Sequence, residues 1–193
     1  MDNRQRESQA TSAPKAVDRL LAEMRFAKAK PYIPKGARLL DVGAGDGSFL
    51  RHLCGHISGG VGIDPLITEP VAFDRCELVG GYFPQDFEDN GNFDVITLLA
   101  TIEHIPIDRL SALEAACWRY LSAGGHVIMT VPHPFVDKIL DVLKFFRIIS
   151  GMATEEHYGF KPIVLPDYFS RWQLVKKGRW QLGFNYLFVF QKP

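Results

Sequence analysis

Leu39-Leu40-Asp41-Val42-Gly43-Ala44-Gly45-Asp46-Gly47-Ser48-Phe49-Leu50 holds an apolar run, three glycines at alternate positions, and an amphipathic start. Leu39, Leu40 and Val42 spell a short buried strand. Gly43, Gly45 and Gly47 permit dihedrals closed to other residues and allow a ligand close to the backbone. Ser48, Phe49, Leu50 and Leu53 open a helix, whose first amides are unpaired and sit at the positive end of its dipole. A turn of this kind suits a ligand with an anionic group. The spacing predicts that the helix runs to about Ile57 and that Gly59-Gly60 closes it.

The chain on either side repeats the strand and helix alternation. Val61-Gly62-Ile63-Asp64 reads as a second strand, with Asp64 at its end, 21 positions beyond Gly43. In an open α/β sheet, an acid about 20 residues after the glycine turn can accept the hydroxyls of a ribose. A turn cap before Pro65 is the alternative. Cys76 to Val79 reads as a third strand. Phe93 to Leu99 is a fourth, apolar enough for a central parallel strand. Val127 to Val131 is a fifth. Helices are expected over 15–30, from Val17, Leu20, Leu21, Met24 and Ala27, and over about 108–121, closed by Gly124-Gly125. Pro166 to Lys177 reads as a further helix. Arg179 to Leu182 and Tyr186 to Gln191 read as an antiparallel hairpin. Together these give a doubly wound, Rossmann-like, mostly parallel sheet with an antiparallel C-terminal strand. Ligands bind such sheets beyond the strands' C-terminal ends, beside the first strand.

The 193 residues suit one domain over 15–193, behind a polar tail at 1–14 that is expected to be disordered. Within it, about 135–162 reads as a helical, lid-like insertion. Ile139, Leu140, Val142, Leu143, Phe145, Phe146, Ile148 and Ile149 make 136–151 apolar around most of its circumference. Such a helix is buried, covers a substrate, or meets a second copy or a surface. The 22 basic and 22 acidic residues cancel, which argues against a nucleic-acid binder. No apolar run reaches a membrane span and the first residues lack a signal-peptide core, so a cytoplasmic protein is expected. Cys54, Cys76 and Cys117 match no zinc or redox spacing, and no metal site is expected.

The glycine turn narrows the ligand. A dinucleotide fingerprint, G-x-G-x-x-G/A, would need Gly or Ala where Ser48 stands, and a P-loop would need a lysine. Leu39 to Gly47 resembles motif I of the class I methyltransferases that use S-adenosylmethionine. Gly62-Ile63-Asp64 resembles their second motif, and Phe93-Asp94-Val95-Ile96 leading to Glu103-His104-Ile105 their fourth. Leu121-Ser122-Ala123-Gly124-Gly125-His126-Val127-Ile128 resembles their later L-x-x-G-G segment. Four matches stand in order over residues 36–134. The resemblance implies a seven-stranded sheet and S-adenosylmethionine as cofactor. It also implies that Gly43, Ala44 and Gly45 pass under the methionine portion, that Asp41 anchors the amino end, that Asp64 with Pro65 holds the ribose, and that Ala100 lines the methionine side.

The family often has an acid just after strand three. Gly80-Gly81-Tyr82-Phe83 stands there instead, so the backbone of Tyr82 and Phe83 is expected to hold the adenine, with Asp86 as a substitute. If the acceptor is a hydroxyl, His104 is the candidate base; ordering its own loop is the alternative. His133, His157 and Tyr158 are candidate substrate contacts. The Asn/Asp-Pro-Pro-aromatic signature of amino-group nucleic-acid methylases is missing, since Leu99-Ala100-Thr101-Ile102 stands there. A small-molecule, lipid-like or glycan-intermediate acceptor is expected. A non-catalytic module that binds S-adenosylmethionine and an NAD(P)-binding oxidoreductase are the competing readings.

Overall fold

The computed structural model describes residues 19–132 and 162–193. In chain order its elements are α1 (19–29), β1 (Arg38–Val42), α2 (Ser48–Leu53), β2 (Gly59–Asp64), β3 (Val71–Phe73), β4 (Cys76–Gly80), β5 (Phe93–Leu99), α3 (Leu110–Tyr120), β6 (Leu121–Pro132), α4 (Leu165–Tyr168), β7 (Gln173–Trp180) and β8 (Asn185–Gln191). The eight strands form one sheet in the order β3-β4-β2-β1-β5-β6-β8-β7. The run β4-β2-β1-β5-β6 is parallel; β3, β8 and β7 join antiparallel. The sheet has eight strands rather than the seven implied, because Val71–Phe73 folds back on β4. β1 pairs with β2 on one side and β5 on the other, and the winding direction reverses there.

Both sheet faces are apolar, so both must be covered. Leu40, Val42, Ile63, Ile96, Leu98 and Met129 face α3, with Leu110, Leu113 and Cys117, and the segment around Leu165 and Phe169. Leu39, Val95, Ile128 and Val189 face α2, with Phe49, Leu50 and Leu53, and the end of α1. Helix α1 turns a different side inward from the one its spacing predicts. Ala29 is buried and Phe26 packs on Phe49 at 4.8 Å, whereas Leu20 and Met24 are exposed.

Three further expectations are corrected. Helix α2 is six residues long, and Gly59 and Gly60 belong to β2. A Cβ on Gly60 would stand 2.8 Å from Leu50 and 3.0 Å from the Leu39 carbonyl, so close packing demands glycine there rather than helix termination. Gly124-Gly125 lies inside β6, exchanging backbone hydrogen bonds with Lys192. Gln173 to Lys177 is strand and not helix: α4 stops at Tyr168, and β7 pairs with β8 along its length.

One buried cluster ties α3 to the segment after α4. The Glu114 carboxylate accepts two hydrogen bonds from Arg171, at 2.7 and 3.0 Å, and one from the Trp172 indole. Arg171 also lies 4.1 Å over Trp118, which meets Trp172 edge-on. Arg171 is half exposed, so the ion pair alone contributes little. The buried indole N–H has more to lose. Glu114→Ala is expected to cost about 2–4 kcal/mol, read as a lower urea midpoint, and Glu114→Gln distinctly less. An unchanged midpoint in the alanine variant would contradict this role.

Candidate active site

The strand ends around β1 gather the candidate residues. Asp41 occupies the second-last position of β1, and Asp64 the last position of β2. Gly43 and Ala44 leave β1 by donating their N–H groups to the Ile63 carbonyl, at 2.9 and 3.2 Å. The three turn glycines are left-handed, with φ of 76°, 54° and 75° at Gly43, Gly45 and Gly47. Their surroundings differ. A Cβ on Gly43 would strike the Thr101 side chain at 2.4 Å, and one on Gly47 would strike Leu78 at 2.7 Å. A Cβ on Gly45 would meet nothing within 4 Å. Two glycines therefore seat the turn against its neighbours, and the middle one borders open space. That open face fits a ligand laid along the turn.

Asp64 holds this turn in place. Its Oδ2 accepts the Gly45 N–H at 2.8 Å, and its Oδ1 accepts the Leu66 N–H at 2.9 Å. A carboxylate offers about four lone-pair sites, so each oxygen keeps capacity for a hydroxyl. Pro65 is exposed beside it. Asp41 is buried, and Thr97 of β5, its register partner, donates its hydroxyl to Asp41 Oδ1 at 2.6 Å. Burial pushes the Asp41 carboxyl up to about 7; the Thr97 hydrogen bond opposes this, and the charge of Asp64 adds to it.

Asp46 alters the expected electrostatics. It accepts the Ser48 N–H at 3.0 Å, taking a helix amide that an anion would use. With α2 only six residues long, little dipole remains. Three carboxyl groups, Asp41, Asp46 and Asp64, surround the turn, and residues 39–50 hold no basic residue. This arrangement disfavours a pyrophosphate and favours hydroxyls and an ammonium group.

Beyond β4, Gly81 donates to the Asp64 carbonyl at 3.2 Å, which brings Tyr82 beside the end of β2. The Tyr82 N–H is donated to Asp86 Oδ2 and its carbonyl accepts the Asp86 N–H, both at 2.8 Å. The Tyr82 N–H therefore is not a free donor for a base, as had been expected of it. Tyr82 is 62% exposed, while Phe83 is buried against Phe87 and Tyr120. Asp86 acts on its own loop.

Ala100 follows β5 with φ of 57°, unusual for alanine, and donates to the Thr130 carbonyl at 2.9 Å. This bend sends Thr101 back against Gly43 and starts the short 3-10 turn Ile102–His104. Glu103 is buried and His104 is half-buried in that turn. His133, His157 and Tyr158, the segment 136–151, the tail 1–14 and nearly all of the insertion at about 135–162 lie outside the described residues. Among the described residues no cluster of His, Cys, Asp or Glu could hold a metal ion, and no helix is long and apolar enough to cross a membrane. Two contributors escaped the sequence reading, Thr97 and Thr101. A threonine amid Phe93 to Leu99 was the available signal, because a buried hydroxyl requires a partner.

The profile of the family described as "Methyltransferase domain" matches residues 5–177. Curated relatives named ubiquinone biosynthesis O-methyltransferase include one from Vibrio parahaemolyticus, 26% identical over 165 residues, covering 78% of this chain and 68% of the relative. Another, from Cronobacter sakazakii, is 29% identical over 147 residues, covering 71% of this chain and 59% of the relative. Among solved structures, the N-methyltransferase NodS of Bradyrhizobium japonicum WM9, in complex with S-adenosyl-L-homocysteine, aligns with a TM-score of 0.67 at 14% identity, over 90% of this chain and 88% of that one. A chain from the complex of the Haloferax volcanii Trm112 methyltransferase activator with a putative methyltransferase aligns with a TM-score of 0.68 at 15% identity, over 95% and 97%. With the profile matching most of its length and its fold aligning with that of a solved methyltransferase, the chain belongs to the methyltransferase-domain family of S-adenosylmethionine-dependent methyltransferases.

Proposed function

We propose that the chain methylates a hydroxyl of a small, largely apolar acceptor. The observation that carries the donor half is the set of Asp41, Asp46 and Asp64 around a turn without basic residues, open at Gly45. Asp64 accepts the ribose hydroxyls on lone pairs left by the Gly45 and Leu66 amides. Asp41 faces the ammonium of the methionine tail, and Gly43, Ala44 and Gly45 run beneath it. Pro65, Tyr82 and Phe83 border the adenine, and Ala100 borders the sulfur side. When bound, S-adenosylmethionine supplies an electrophilic sulfonium methyl. The protein's work is then alignment, which can supply roughly 7–11 kcal/mol of a barrier. His104, just past the end of β5, takes the acceptor's proton as the oxygen–methyl bond forms, a step typically contributing ~10²–10⁴-fold. His133, His157 and Tyr158 contact the acceptor.

The hydroxyl acceptor is supported by the relatives' name, and its apolar body by the composition of 136–151. The test is methyl transfer from labelled S-adenosylmethionine to a panel holding a phenol with an apolar tail, a glycan intermediate, a primary amine and an RNA. Label on the phenol is the expected result. Label on the amine alone would overturn O-methylation. No transfer to any pool, with ligand binding intact, would favour a non-catalytic module.

A further inference from the structure

We propose that binding of an ammonium-bearing adenosyl ligand expels a proton from Asp41, and that Thr97 is the positioning residue that lets this carboxyl stand in either proton state. The proposal rests on the reading that Asp41 receives the methionine ammonium.

The geometry begins in the strand register. Asp41 and Thr97 are direct partners across β1 and β5, and both are buried. Thr97 Oγ1 lies 2.6 Å from Asp41 Oδ1 and 3.4 Å from the Leu40 carbonyl. A hydroxyl has one hydrogen and two lone pairs, and it rotates to suit its partners. When Asp41 is ionised, Thr97 donates to Oδ1. When Asp41 is protonated, its O–H donates to Thr97 Oγ1, and Thr97 turns its own hydrogen to Leu40. The same heavy atoms satisfy both states, so the proton can leave without repacking.

Burial holds the Asp41 carboxyl towards its protonated form, and the charge around it adds to this. From β2 the charged neighbour is Asp64, and its negative charge favours the protonated form. From β5 the neighbour is the neutral Thr97, and the buried residues of α2 on this face are Phe49, Leu50 and Leu53. Among the described residues Asp64 is the charge that acts on Asp41, and no cation offsets the two carboxyls. A ligand ammonium is the missing counter-charge. Its arrival favours the carboxylate, and the Asp41 proton passes to solvent as a carboxylate–ammonium pair forms. With the free carboxyl poised near about 7, the linkage falls in the neutral range.

Calorimetry tests this on the intact chain with S-adenosylhomocysteine, at pH 6, 7 and 8, in buffers of different ionisation enthalpy. The expected result is release of most of a proton at pH 6, little at pH 8, and an affinity rising about tenfold between them. Methylthioadenosine, which lacks the ammonium, is expected to release none. Thr97→Val removes the partner that favours the charge, so the midpoint of the affinity profile is expected to move to higher pH, with Thr97→Ser restoring it. Binding at pH 6 without proton release, or a Thr97→Val profile superposing on the wild type, overturns the proposal. Asp41→Asn is measured beside them. If it binds S-adenosylhomocysteine as tightly as the wild type, Asp41 does not hold the ammonium, and the underlying reading fails.

Discussion

Asp64→Ala abolishes the thermal stabilisation that S-adenosylhomocysteine gives to this chain; that is the expected result, and two losses combine in it. The first is internal. Gly45 and Leu66, both exposed residues, each lose the carboxylate oxygen that accepts their N–H; hydrogen bonds to a charged group are worth about 1.5–3 kcal/mol apiece, and less where water can replace the acceptor. The ligand-free variant is therefore less stable by about 1–2 kcal/mol, since water reaches the freed amides, and the turn is untied from β2. The second loss is the acceptor proposed for both ribose hydroxyls. A ligand at about 100 times its dissociation constant stabilises by ~2.7 kcal/mol, and this increment falls to ~0.4 kcal/mol once binding weakens by two orders of magnitude and to nothing measurable beyond three. Differential scanning fluorimetry with and without ligand separates the effects: the base melting temperature falls, and the ligand-induced shift goes to zero. A lowered base temperature with the full shift retained would show that Asp64 organises the turn and does not bind the ribose.

Asp41→Asn moves stability and binding in opposite directions. Burial disfavours the charge of the folded Asp41 carboxyl and pushes it up to about 7 from an ordinary 3.8. A folded value raised in this way means the contribution of Asp41 to stability is greatest below about pH 4. It is lost as pH rises towards 7. At pH 8 the ionised carboxyl is a standing cost, of which an isosteric amide is free. The asparagine variant is expected to be more stable than the wild type by about 1–3 kcal/mol at pH 8, with the advantage gone by pH 4. A chain of this size gains roughly 2–4 °C in melting temperature per kcal/mol. The same variant loses the counter-charge for an ammonium, and its affinity for S-adenosylhomocysteine at pH 8 is expected to fall at least tenfold. Denaturant melts at the two pH values, with a binding isotherm at pH 8, check both halves. A less stable variant at pH 8 would show that the buried charge is compensated by partners other than Thr97.

Much of this arrangement was legible in the residues. Phe93 to Leu99 became a strand with those bounds, because an apolar run buried on both faces has no other stable place. Asp64 ended the second strand because the glycine turn and the crossover set its distance along the chain. The failures share a cause, which is contacts with distant residues. Gly59 and Gly60 look like a helix stop, yet they are there because Arg75, Leu50 and Leu39 leave no room for a side chain. Gln173 to Lys177 has no strong period of its own, and its state is set by pairing with β8. Val71–Phe73 is too short and exposed to leave an apolar pattern. Asp46 was visible in the turn, but only the structure showed that it accepts the Ser48 N–H at the start of a helix just six residues long.

The strand order has a bearing on how the protein is made. β8 lies between β6 and β7, although it is synthesised after both. During translation β7 emerges before its partner, since among the described residues its ladder is with β8 alone, and β6 presents a bare edge on that side. The ribosome therefore delivers the parallel strands, with Asp41, Asp64 and the glycine turn, well before the sheet can close. Closure waits for Tyr186 to Phe190, five consecutive buried residues near the end of the chain. A nascent chain stalled before Asn185 would display β6 and β7 as two open edges, the form in which a sheet protein is most prone to join another copy.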